Sequence, residues 1–63
     1  MKRLQLAFWQ RGDHGVAVEL DGTDLVISRQ LDGVVEEKIS FPASRALLLA
    51  MREACDQALR VLA

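Results

Sequence analysis

The sequence predicts an α+β domain. Four antiparallel strands form a β-meander, and one C-terminal helix packs on one sheet face in the order β-β-β-β-α, expected to dimerise. Three observations carry this expectation. The hydrophobic period changes at Phe41-Pro42, from alternation before it to helical spacing after it, and these are the periods of strands and of a helix. Three glycine-bearing segments divide the first part: Arg11-Gly12-Asp13-His14, Asp21-Gly22-Thr23-Asp24 and Leu31-Asp32-Gly33. Residues 43–63 contain neither glycine nor proline, and their apolar residues cover more of the helix than one sheet needs.

The turn segments place strands over about 3–10, 15–21, 24–30 and 34–41. Strict alternation points Leu4, Leu6 and Phe8 inward, with Val16, Val18 and Leu20, then Leu25 and Ile27, then Val35, Ile39 and Phe41. Cross-strand partners share a face, so register follows from matching these sets. A Gly22-Thr23 turn pairs Asp21 with Asp24, Leu20 with Leu25 and Val18 with Ile27, and glycine at the first central position suits a type II′ turn. In the third hairpin, a two-residue Asp32-Gly33 turn sets Ile27 against Lys38. A three-residue loop, Leu31-Asp32-Gly33, pairs Leu25 with Ile39 instead and is the better expectation. It leaves Arg29 and Glu37 diagonal on the inner face. In the first hairpin, a loop centred on Gly12 pairs Leu6 with Val18 and Phe8 with Val16.

The same register predicts the outer face. Its rows run Arg3–Asp21–Asp24–Ser40, Gln5–Glu19–Val26–Lys38, Ala7–Ala17–Ser28–Glu36 and Trp9–Gly15–Gln30–Val34. Trp9 is expected there, beside the uncrowding Gly15.

The helix is expected over about 43–62. Pro42 fits the first helical position, where its missing N–H is harmless, and Ser44 is an alternative cap. At about 100° per residue, Leu47, Leu48, Met51, Ala54, Cys55, Ala58, Leu59, Val61 and Leu62 cover roughly half the circumference. A helix on one sheet needs a stripe only a little over about 100° wide. Leu49 lies outside the stripe, among polar residues. The excess predicts a second chain against Leu48, Leu49, Leu59 and Leu62.

Composition points the same way. At 63 residues a single core rarely supplies more than roughly 3–5 kcal/mol. The chain has one cysteine and one histidine, which exclude an internal disulfide and a four-ligand structural zinc site. A homo-oligomer is what remains. A lone cysteine, no evident signal peptide at Met1-Lys2-Arg3 and no run of about 20 apolar residues make a soluble cytoplasmic protein the expectation, with no membrane partner.

No residue pattern carries catalysis. His14 beside Asp13 occupies a turn, where a closed site is rarely built. Cys55 on the apolar stripe reads as a buried, inert thiol. Glu36 and Glu37 alternate across a strand and so cannot act together. Gly12-Asp13-His14-Gly15 lacks the lysine and the following helix of a phosphate loop. The expectation is a non-enzyme with no cofactor and no metal.

Charge leaves one binding candidate. Net charge is −1, which weighs against generic duplex binding. Residues 1–12 nevertheless carry Lys2, Arg3 and Arg11 and no acid, whereas residues 13–41 carry seven acids against Arg29 and Lys38. Trp9 near Arg3, Gln5 and Arg11 combines an aromatic platform with cations, the chemistry that holds single strands. The plainer alternative packs Trp9 against another subunit. Glu19, Asp21, Asp24 and Glu36 share the proposed face.

Lys2-Arg3-Leu4-Gln5-Leu6, the turn at Gly12, and Ile39-Ser40-Phe41-Pro42 leading into Ala46-Leu47-Leu48 give a pattern covering nearly the whole chain. That pattern resembles the repeat of the Pur-alpha and whirly-like single-stranded nucleic-acid-binding proteins. In that family such units dimerise and hold unpaired bases on sheet surfaces and strand-connecting loops. The resemblance implies a dimer that binds single-stranded DNA or RNA through Arg3, Gln5, Trp9, Arg11 and Lys38. The competing expectation is a self-assembling protein–protein interaction module that binds no nucleic acid.

Overall fold

The computed structural model describes residues 3–63; Lys2 lies outside them. Strands β1 (Arg3–Arg11), β2 (His14–Asp21), β3 (Asp24–Leu31) and β4 (Val34–Pro42) precede helix α1 (Arg45–Leu62). The strands form one antiparallel sheet in the order β1-β2-β3-β4. The meander and its C-terminal helix are those expected from the change of period.

All three hairpins close with two-residue turns. Gly12 and Gly22 have φ of 62° and 63°, and each is followed by a residue with negative φ, as in type II′. Asp32 and Gly33 both have positive φ, at 51° and 77°, which is type I′ and explains the Asp-Gly pair. The third loop is therefore shorter than expected.

The second hairpin has the expected register, with Asp21 opposite Asp24 and Leu20 opposite Leu25. The other two differ, and both differences come from β-bulges. In β1, Arg3, Leu4 and Gln5 pair Asp21, Leu20 and Glu19. The ladder then skips Leu6, and Ala7, Phe8 and Trp9 pair Val18, Ala17 and Val16. In β4, Val34 and Val35 pair Leu31 and Gln30, the ladder skips Glu36, and Glu37 pairs Arg29. Leu25 then meets Phe41, and Ile27 meets Ile39, where Leu25 had been expected opposite Ile39. Each bulge absorbs the one-residue slip between a two-residue turn and the apolar alternation.

The bulges fix two unlike faces. One is apolar: Leu4, Ala7 and Trp9 from β1; Val16, Val18 and Leu20 from β2; Leu25 and Ile27 from β3; Ile39 and Phe41 from β4. It also holds Arg29 opposite Glu37, joined by an Nε–Oε1 hydrogen bond of 2.9 Å. The other face is polar, with Gln5, Phe8 and Gln10 beside Glu19, Ala17 and Gly15. Val26, Ser28 and Gln30 follow on β3, and Ser40, Lys38 and Val35 on β4.

The helix begins later than expected. Pro42 ends β4, and Ser44 is the N-cap, its hydroxyl accepting from the Leu47 N–H at 3.1 Å. The larger correction concerns packing. The packed pairs of elements among the described residues are β1–β2, β2–β3 and β3–β4, so α1 lies against no strand. Only Ala43 and Ser44 separate β4 from α1, and the Ala43 N–H donates to the Thr23 carbonyl at 2.9 Å. That bond holds the connection in line with the sheet, and the cap follows at once.

The interior is correspondingly small. Among the described residues, Ala17, Leu25 and Val26 are the buried apolar side chains, and none of α1 is buried. Cys55, expected to be buried, is exposed. The chain measures 37 × 32 × 15 Å. Its radius of gyration is 12.9 Å, against about 10.6 Å for a compact chain of this length.

Candidate nucleic-acid interface and assembly surfaces

The structure divides the expected binding residues between the two faces. Arg3, Gln5 and Lys38 lie on the polar face, paired with Asp21, Glu19 and Ser28. Trp9 and Arg11, paired with Val16 and His14, lie on the apolar face. The expectation that Trp9 shares a face with Arg3 and Gln5 is therefore corrected. The bulge at Leu6 exchanges Phe8 and Trp9 between faces, because one extra residue reverses every side chain beyond it.

Phe8 is thus the aromatic of the polar face. It is 48% exposed. Its ring edge lies 3.6 Å from where a β-carbon on Gly15 would sit, so the ring leans into the space that glycine leaves. Ala17 and Ser28, both buried, continue a low floor beside it. Lys38 pairs with Ser28, and Gln10 and Gln30 flank Gly15. This half of the face offers one aromatic ring, one cation and two amides above small residues.

The other half is acidic. Asp21 faces Asp24, and Glu19 lies one row inward. Arg3 approaches Asp21 at 3.8 Å, with both side chains substantially exposed. Such a pair is worth little. His14 lies 3.5 Å from Asp13 with both groups in solvent. Among the described residues, no three His, Cys, Asp or Glu side chains converge on a point that could hold a metal, and no helix is long and apolar enough to cross a membrane.

The apolar face remains open. Leu4, Trp9 and Ile39 are each more than half exposed. On α1, Leu59 is 66% exposed and Leu62 is 82% exposed. Leu48 and Leu49 are more shielded and line a cleft with Leu20, Gly22 and Thr23 at the β2–β3 turn. All four expected interface residues are exposed, Leu59 and Leu62 the most. Sequence reasoning missed Phe8, whose position depends on a bulge that alternation does not reveal.

No protein-family model, curated protein or solved structure matches the chain.

Proposed function

We propose that this chain is a self-assembling domain whose polar sheet face binds single-stranded nucleic acid, with Phe8 as the stacking platform. The observation that carries this reading is the separation of chemistry between faces. Most of the aliphatic residues, with Trp9, lie on one face, and a half-exposed ring sits on the other beside Gln10, with Gln30 two strands away and Lys38 at the far end of the ring's own row. Single-strand binders combine such a ring with cations that track the backbone, and the stack contributes about 1–3 kcal/mol per base.

The acids at Glu19, Asp21 and Asp24 repel phosphates from one half of the face. They direct the strand along the Phe8–Lys38 row and limit affinity. With few cations, binding is weak and confined to low salt.

The test is fluorescence anisotropy of a labelled single-stranded oligonucleotide at low salt. Phe8→Ala is expected to weaken binding by about 5- to 150-fold, the equivalent of one lost stack. Trp9→Ala is expected to leave the affinity per assembled particle unchanged. Lys38→Ala is expected to reduce the salt slope by about one. The same acidic end, together with the exposed apolar residues, favours the second reading, a protein-only assembly module. Absence of binding at low salt, or a Phe8→Ala variant that binds normally, would leave that second reading standing.

A further inference from the structure

The apolar face and the helix stripe are each unpartnered within one chain, and the geometry points to a single occupant for both: a second copy, exchanging helices. In this arrangement α1 of each protomer lies across the apolar face of the other. The inference rests on the self-assembly part of the function proposed above and does not depend on nucleic acid.

Surface area argues for a second copy. The chain exposes 5205 Å², whereas a compact protein of 7.0 kDa exposes roughly 4,000 Å². Two copies reduced to the roughly 6,700 Å² of a compact particle of twice the mass would bury on the order of 3,700 Å². That lies within the range of about 2,000–5,000 Å² of obligate homodimers. A chain whose buried apolar side chains are Ala17, Leu25 and Val26 among the described residues requires such a partner whenever it is folded.

Geometry argues for helix on sheet. The 18-residue helix is about 27 Å long, and strands of 8–9 residues run about 26–30 Å. The face offers Leu4, Val18, Ile27 and Ile39 in adjoining strands, and the helix offers Leu59 and Leu62 to cover them. Arg29 and Glu37 within this face are already paired across β3 and β4, and Arg11 stands at its edge, at the end of β1. Within one chain α1 packs on no strand. A two-fold operation buries both helices and both faces at once, which makes the interface self-complementary.

The test uses the native thiol of Cys55 on the helix. Wild-type protein is co-refolded with an Ile39→Cys, Cys55→Ala variant and treated with a bis-maleimide of about 10 Å reach, the spacing of packed layers. The expected product is a hetero-crosslink between the two chain types, read by mass spectrometry. A product formed only between wild-type chains would mean helix against helix and would overturn the exchange. In an Ile39→Cys variant that keeps Cys55, a crosslink confined within single chains would overturn it too, as would a monomeric mass for the uncrosslinked protein. Leu59→Glu is expected to abolish the dimer. Because that variant can also lose its fold, the crosslinks in folded protein decide the matter. None of these readouts uses an oligonucleotide, so failure of the nucleic-acid reading leaves them intact, and the reverse holds as well.

Discussion

Replacing Ile39 with alanine separates a chain that folds alone from one completed by a partner. Ile39 lies on the apolar face opposite Ile27 and is 60% exposed. The substitution removes three carbons, worth about 2.4 kcal/mol at roughly 0.8 kcal/mol per buried CH₂. With 60% of the residue still open to a partner, about 1.4 kcal/mol per copy remains to be gained on association. Two copies across a two-fold interface give about 3 kcal/mol, roughly a 100-fold rise in the dimer Kd. Sedimentation equilibrium over a dilution series measures it. Loss of strand propensity accompanies any such change, so Val35→Ala is the control. Val35 is 52% exposed and pairs with Gln30 on the opposite face, and its truncation is expected to leave the dimer Kd unchanged. An unaltered Kd for Ile39→Ala, or an equal weakening by Val35→Ala, would refute the assignment of the apolar face as the interface.

Three further outcomes follow from the same geometry. Gly33→Ala is expected to destabilise the fold by about 1–2 kcal/mol, because φ is +77° there and L residues resist the left-handed region. Nothing within 4 Å would meet the new methyl, so the effect is conformational, and an unchanged melting temperature would contradict the type I′ turn. Ser44→Ala is expected to cost about 1 kcal/mol by removing the cap, read as reduced helicity on heating; Ser44→Asp is expected to retain it. Trp9, the sole tryptophan, is 55% exposed in the single chain. Its emission is expected to move to shorter wavelength as concentration rises through the dimer Kd, and a concentration-independent spectrum would count against burial of that face.

Alternation and turn residues made most of the sheet legible before any coordinates. The Gly22-Thr23 hairpin is the clearest case, because its two apolar sets coincide under a two-residue turn without adjustment. The flanking hairpins were harder for one physical reason. Gly12-Asp13 and Asp32-Gly33 are the turns that twist suits best, yet each puts the apolar sets out of phase. A longer loop and a β-bulge both restore the phase, and nothing in the local sequence distinguishes them. The chain uses bulges at Leu6 and Glu36. The choice carries Phe8 to the polar face and Trp9 to the apolar one, so it also decides the candidate site.

The helix shows the opposite balance. Its position and its over-wide apolar stripe were legible from period alone. That it would stand clear of its own sheet was not, because period does not give the direction in which a helix leaves the strand before it. The excess apolar width is the sequence feature on which the expectation of a second chain rests.

The measurement that bears most directly on the account is light scattering after size exclusion at low salt, repeated with a single-stranded oligonucleotide. The account expects a particle of about 14 kDa, twice the chain's 7.0 kDa, that persists on dilution to micromolar concentration and gains mass with the oligonucleotide. A folded particle of 7.0 kDa at every concentration would contradict it, because the apolar face and the helix stripe would then stand open in water.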